Sequence, residues 1–222
     1  MKKFAYYKNL NERQRRLYDR SDAVTSVRVP GNGVATLATG IATALAADDR
    51  IGTERAAHGL VAAVLATLQV SPVRVRVLAV RPSNHREELH GQYVFGGRRT
   101  QPSITVWMRT AQKKQIVAFR TFYRTLLHEV AHHLDYQLYH FEDSLHTQGF
   151  YKRAESLFDQ LLPASLDEPK RSRAIAAAAA AATATTGMVA RPRAARATAE
   201  PRRRTRATAQ ASLPFANGSA PK

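Results

Sequence analysis

The chain of 222 residues contains no cysteine. This absence excludes a disulfide framework, and it excludes every metal site that is built from thiolates. A tetrahedral metal site in this protein must therefore use histidine imidazoles and carboxylates as ligands. The absence also fits a reducing compartment.

The sequence also lacks a long apolar run. The first residues are basic, as in a signal peptide, but Asn11, Glu12 and Arg13 interrupt the segment before an apolar stretch develops. The Ala-rich run at 174–190 contains threonines and lies between arginines, which makes it too polar for a membrane span. We therefore expect a cytoplasmic protein without a membrane partner.

Acidic residues are scarce: 17 Asp and Glu stand against 34 Lys and Arg, so the net charge is +17. Large aliphatic and aromatic side chains are scarce after residue 162, where residues 163–222 hold only five. So few do not offset the entropy of the chain, and we predict a folded domain at 1–162 followed by a disordered Ala/Arg/Pro-rich tail.

The tail holds 11 basic and 3 acidic residues, which gives it +8 of the total charge. This composition predicts non-specific contact with the phosphates of DNA or RNA and association with the nucleoid. The alternative is a solvated low-complexity tail. At the other end of the chain, residues 1–30 form a basic arm that interleaves cations with aromatic residues, and either nucleic-acid binding or a docked amphipathic helix explains it.

Apolar periodicity predicts helices first, then strands, then helices again. Val34 to Leu45 mark one amphipathic helix, and Ala57 to Leu68 mark a second one that Thr53 caps. Period-two alternation predicts three strands, and two further helices follow; these five elements are 73–80, 91–95, 103–109, about 113–139 and about 149–162. This order predicts an α+β fold with a small antiparallel or mixed sheet.

The long helix carries the motif HEVAH at 128–132, within a stretch of 26 residues that holds five of the eight histidines. At 100° per residue, His132 lies about 40° and Glu129 about 100° from His128, away from the apolar stripe that begins with Ile116 and Phe119. Two imidazoles one turn apart converge on one metal ion, and the adjacent glutamate can deprotonate a metal-bound water. The alternative is a chance pentapeptide on a solvated face. His133 lies away from the metal face, and we expect it to pack in the core or to contact a metal ligand. His58, His85, His90 and His140 are expected at the surface.

A catalytic zinc site needs a third protein ligand and one open position, and three residues are candidates for this ligand. Asp135 shares the helix face, but its distance along the axis favours contact with a ligand histidine instead. Glu155 lies 23 residues after His132 on the next helix, as in thermolysin-like enzymes, and His146 lies 14 residues after His132.

The stretch from His128 to Arg153 resembles the SprT-like (Spartan-type) zincin metallopeptidases, in which HExxH is followed by a histidine, a glycine and an aromatic residue that open the next helix. The resemblance covers about residues 104–160. It implies a zincin-like domain that binds one Zn²⁺ through His128, His132 and His146, with Glu129 as the general base, Gly149 for the turn and Phe150 for packing. The glycine is displaced by two residues from its usual place, and the cysteine-rich zinc ribbon of many relatives is missing.

The resemblance also implies a substrate site. In zincins an edge strand above the active-site helix pairs with an extended peptide, and SITVWMR is the candidate, through Ile104, Thr105, Val106 and Trp107. An ordinary core strand is the alternative. Tyr136 and Tyr151 are candidates to support the oxyanion.

The leading hypothesis is a zinc metallopeptidase that hydrolyses protein substrates, and the basic tail suggests that it acts near DNA. Two alternatives stay open: a basic nucleic-acid-binding protein with a structural or inactive zinc site, and another zinc hydrolase on the same scaffold.

Overall fold

A computed structural model describes residues 3–30, 33–82, 89–97 and 100–167. The predicted tail lies outside these residues from position 168 onward. Single 3₁₀ turns flank the main elements at Ala5–Asn9 and Ala164–Leu166. In chain order the main elements are α1 (Glu12–Ala23), α2 (Gly33–Ala46), α3 (Arg50–Thr67), β1 (Arg74–Val80), β2 (Gly91–Val94), β3 (Ser103–Arg109), α4 (Phe119–Gln137) and α5 (Gln148–Leu161).

The three strands form one mixed sheet in the order β1-β3-β2. β1 runs parallel to β3, with Val77 opposite Val106, and β2 runs antiparallel to β3, with Gly91 opposite Val106. The predicted α+β class and mixed sheet are confirmed. The prediction that SITVWMR is an edge strand is wrong, because β3 pairs on both sides and β1 and β2 form the edges.

One face of the sheet packs against α3 and α4. Val75 and Val77 of β1 and Ile104 and Val106 of β3 point to this side and are at most 4% exposed. Burial of such side chains contributes roughly 1.5–3 kcal/mol each. The sheet thereby fixes α4, the helix that carries HEVAH.

Two helix starts differ from the prediction. α3 begins at Arg50 because the Asp49 side chain accepts a hydrogen bond from the Gly52 amide, whereas Thr53 is buried inside the first turn. α4 begins at Phe119 and not near residue 113, because the chain after β3 first turns back and forms a bridge between Ile116 and Arg109. Ile116 therefore lies outside the helix and is 36% exposed.

The N-terminal arm contains a docked amphipathic helix. Asn11 and Gln14 form a capping box at the start of α1, and Leu17 and Tyr18 pack with Phe141 and Leu145 in a second, smaller core. Three of the arm's cations form ion pairs, Lys3 with Asp19, Arg13 with Glu142 and Arg16 with Glu12. At the other end of the folded body, Arg120 pairs with Asp167, so the body extends five residues beyond the expected boundary.

Within the described ranges, no helix combines the length and the apolar character that a bilayer crossing requires.

Candidate metal centre

Three histidines from two helical regions converge beside α4. His128 and His132 lie one turn apart on α4, and His146 immediately precedes α5, whose start is capped by the Thr147 side chain on the Phe150 amide. The Phe150 ring lies under all three imidazoles, with ring-centre distances of 4.6 to 5.0 Å. The cap and the ring together bring His146 back to the HEVAH motif.

The geometry of the cluster suits a metal ion. One ring nitrogen from each histidine lies within 4.8 Å of the other two, and the Nε2 atoms of His128 and His146 are 3.0 Å apart. Zn–N bonds of about 2.0–2.1 Å in tetrahedral geometry place two ligand nitrogens roughly 3.3 Å apart. These three side chains can therefore bind a metal ion. The 3.0 Å contact would also suit a hydrogen bond between two neutral rings.

Burial keeps the imidazoles neutral. It lowers the pKa of His128 to about 3, with a smaller contribution from His146, and it lowers the pKa of His146 itself to about 4. The pKa of His132 falls well below its usual value for the same reason. A neutral imidazole has the lone pair that a metal ligand needs, so the cluster is ready to bind a cation at neutral pH.

Glu129 is 5% exposed and lies against β2. Its carboxylate accepts a hydrogen bond from the Tyr93 amide, and burial raises its pKa to about 8 in spite of that bond. A Cβ atom at Gly91 would lie 2.3 Å from Glu129 Oε1, so glycine at this position makes room for the carboxylate. The Tyr93 ring also stacks on His132 at 6.4 Å, which places Glu129 and the histidine cluster beside the same strand.

The two carboxylates considered as ligands have other roles. Glu155 lies on the surface, where Arg124 Nη2 donates to Glu155 Oε1 at 2.9 Å, and it is not part of the group of side chains that converges here. Asp135 is fully buried and contacts Ser144 and Arg153. It is linked to His132 by the Ser144 hydroxyl, which lies 2.7 Å from His132 Nδ1.

The two candidate tyrosines differ in position. The Tyr151 ring stacks on His146 at 5.6 Å, and burial raises the pKa of its hydroxyl. The Tyr136 hydroxyl donates to Asp143 at 3.1 Å. Tyr151 therefore belongs to the immediate surroundings of the cluster, whereas the Tyr136 hydroxyl is held by a neighbouring loop. Tyr151 also lines a cleft of about 130 Å³ with Arg124, His128, Ala154, Glu155 and Phe158.

The remaining histidines of the described residues lie in two kinds of environment. His133 is fully buried and contacts the Ser71 carbonyl and the Tyr93 hydroxyl at 2.8 and 3.2 Å. His58 and His140 are exposed and His90 is partly exposed, whereas His85 lies outside the described residues.

Sequence reasoning missed Ser144 and Arg153, which connect the cluster to the rest of the fold. Arg153 lies on the apolar face of α5, in line with Phe150, Leu157 and Leu161. A charged residue in such a stripe requires a buried partner, and Asp135 on α4 was the matching candidate. Ser144 gave no such signal, because a serine in a loop is ordinary.

No protein-family model, curated protein or solved structure matches the chain. The geometry of the site therefore carries the functional conclusion.

Proposed function

We propose that the protein is a zinc-dependent metallopeptidase with a zincin-like active site, in which His128, His132 and His146 bind one Zn²⁺ and Glu129 is the general base. The observation that carries this proposal is the convergence of three neutral imidazoles within 4.8 Å, next to a buried glutamate on the same helix. A purely structural zinc site has four protein ligands and no role for such a carboxylate.

The donor set supports zinc. Three imidazoles and one open position are the ligand arrangement of catalytic zinc in several hydrolases. Imidazole also suits copper and nickel, so zinc is the choice that agrees with hydrolytic chemistry, which needs a Lewis acid without redox activity.

Zinc bound by these ligands would lower the pKa of a water molecule and polarise a peptide carbonyl. Glu129 takes the proton from the attacking water and passes it to the leaving amine. Burial raises its pKa to about 8 against the opposing hydrogen bond from the Tyr93 amide, but a nearby cation favours the ionised form that a base requires. Gly91 and the Tyr93 amide hold the carboxylate in place for both proton transfers.

β2 is the edge strand that could bind an extended peptide substrate. The outer edge of β1 is blocked at its centre, because Glu54 accepts from the Val77 amide at 2.8 Å and Arg50 donates to the Val77 carbonyl at 2.9 Å. The Tyr93 amide of β2 is likewise taken by a glutamate, but this glutamate is Glu129, so the edge of β2 lies beside the proposed metal site. We therefore assign to β2 the substrate role that was expected of β3, since strand addition supplies backbone hydrogen bonds without demanding a sequence.

Two features beside His128 complete the proposed site. The cleft of about 130 Å³ has room for one side chain of the substrate. Tyr151 borders both this cleft and His146, so its hydroxyl is the better placed of the two tyrosines to donate to a developing oxyanion.

Glu129→Gln tests the proposed function. We expect the variant to retain about one zinc per chain and to lose at least about 10²-fold in turnover of an unfolded protein, the range of general acid–base groups. Metal analysis and a peptidase assay provide the two readouts. Glu142→Gln is the matched control, because Glu142 pairs with Arg13 on the surface and its loss should change neither. Full activity of Glu129→Gln would show that Glu129 is not the general base. A zinc-loaded wild type without hydrolytic activity would favour a structural zinc site.

A further inference from the structure

Ser144 lies between a ligand histidine and a buried ion pair. Its hydroxyl oxygen is 2.7 Å from His132 Nδ1 and 2.7 Å from Asp135 Oδ2. A hydroxyl has one proton to donate, and Asp135 is an acceptor because it pairs with Arg153. Ser144 therefore donates to Asp135 and accepts a hydrogen bond from His132 Nδ1–H. This tautomer leaves the lone pair on His132 Nε2, the form that a histidine ligand needs when its other nitrogen is held.

Arg153 connects this ion pair to the N-terminal helix. Its Nη2 donates to Asp135 Oδ1 at 2.8 Å, and its Nη1 donates to the Ser21 carbonyl at 2.6 Å and also to the Val24 carbonyl. These carbonyls lie at the end of α1, where helical hydrogen bonds run out; the Ser21 carbonyl accepts in addition from the Val24 amide at 3.3 Å. The fixed fork of the guanidinium lets one side chain hold both groups at once, so the position of Asp135 depends on the docking of α1.

Two further contacts link the N-terminal segment to the third ligand. The Tyr6 hydroxyl donates to the His146 carbonyl at 2.8 Å. Asp22 accepts from the Gly149 amide at 2.8 Å, at the start of α5. The segment thus contacts the surroundings of two of the three ligands, although it contains no ligand itself.

We propose that Ser144 positions His132 for metal binding, and that Arg153 couples this positioning to the docking of the N-terminal segment, residues 3–24. The inference rests on the metal site of the proposed function and adds a positioning residue and a partner element to it. Coupling of this kind is reciprocal. Docking of α1 therefore raises the metal affinity, and metal binding in turn strengthens the docking of α1.

Three variants of the full chain test the role of Ser144. Ser144→Ala should bind zinc about 10- to 100-fold more weakly, the usual cost of losing a partner of a ligand, and Ser144→Thr, which keeps a hydroxyl, should recover most of this affinity. Ser156→Ala is the matched control, because Ser156 lies on α5 and its hydroxyl donates to the Val27 carbonyl, away from the Ser144 contacts. Competition with a chromophoric chelator gives the affinity, and the absorption spectrum of the cobalt-substituted protein should change in Ser144→Ala alone. Equal zinc affinity and equal cobalt spectra in Ser144→Ala and the wild type would overturn this role.

Hydrogen exchange tests the coupling. Zinc should slow exchange of the α1 amides by about 10-fold or more, while amides in the middle of α3 change little, and Ser144→Ala saturated with zinc should show a smaller effect on α1. Unchanged exchange in α1 of the zinc-bound wild type would overturn the coupling. A wild type that binds neither zinc nor cobalt would overturn the metal site itself. This result differs from one in which zinc binds but neither the Ser144→Ala substitution nor the exchange of the α1 amides shows an effect.

Discussion

At the scale of single residues, Gly91 determines where the Glu129 carboxylate can lie. A methyl group at this position would meet Glu129 Oε1 at 2.3 Å and Thr125 Cγ2 at 2.8 Å. Both distances are too short for an alanine Cβ atom, so the Thr125 side chain and the Glu129 carboxylate would both have to move. The proposed base thus depends on a neighbouring strand that has no catalytic group of its own.

Gly91→Ala should therefore lower peptidase turnover by about 10-fold or more, within the range of a general base that is displaced, while zinc content stays at about one per chain. Gly59→Ala is the matched control, because a Cβ atom there meets nothing within 4 Å and alanine is the better helix former by roughly 1 kcal/mol. Steady-state kinetics with metal analysis measures both variants. Wild-type turnover in Gly91→Ala would show that the position of the carboxylate does not limit the reaction.

The sequence was sufficient to predict His128 and His132 as candidates with Glu129 beside them, because HExxH on one helix face is a local pattern. His146 was named as third ligand through the resemblance, and the structure brings it to His128 and His132, whereas Glu155 pairs with Arg124. The Ser144–Asp135–Arg153 network could not be predicted from the sequence either. Its members come from a loop and two helices, and they meet only after folding.

At the scale of elements, α5 begins against the end of α1 with almost no space between the two backbones. A Cβ atom at Gly149 would lie 2.5 Å from the Asp22 carbonyl oxygen and 2.6 Å from the Ser21 carbonyl oxygen. Gly149 was expected to supply a turn. Its role in the structure is instead to permit this close contact between two helices.

Gly149→Ala should consequently separate α1 from α5, lower the free energy of unfolding by roughly 1–3 kcal/mol, as overpacking does, and weaken zinc binding. Gly40→Ala serves as control, because its Cβ atom would make only an ordinary 3.6 Å contact with Ala56. Thermal unfolding of the metal-free and zinc-bound forms measures both effects. Equal stability of Gly149→Ala and the wild type would contradict the proposed packing.

Periodicity placed the three strands to within about one residue, whereas the resemblance to zincins gave the wrong position for β3 in the sheet. The pattern held a usable signal, because Val106, Trp107 and Met108 are consecutive and all buried. Consecutive apolar residues indicate a strand that is covered on both faces, which is typical of a central strand. Strand order itself depends on contacts between distant segments and is not encoded in the local pattern.

At the scale of the whole molecule, positive charge is concentrated at the C-terminal end. Residues 163–222 carry +8 of the net +17, and cations of the N-terminal arm are partly balanced by ion pairs with Asp19, Glu142 and Glu12. Contact with nucleic acid through the tail therefore stays a prediction of the sequence, separate from the chemistry of the metal centre.

Deletion of residues 168–222 should leave the fold and the zinc content intact and weaken the binding of duplex DNA. The slope of log affinity against log salt concentration should also become flatter, because fewer counterions are released. Fluorescence anisotropy over a salt series measures both quantities. If the truncated chain keeps the same DNA affinity and the same salt dependence, the tail is a solvated segment without a role in nucleic-acid binding.

X-ray absorption at the zinc edge of the loaded protein tests the central claim most directly. Three imidazole nitrogens and one light oxygen donor at about 2.0–2.1 Å are expected, with two imidazoles left in His146→Ala and three kept in Glu155→Ala. The same three-imidazole signal should persist in Glu129→Gln. A protein that takes up no zinc, or a zinc site with a carboxylate of Glu155 or Asp135 in place of the His146 imidazole, would contradict the account.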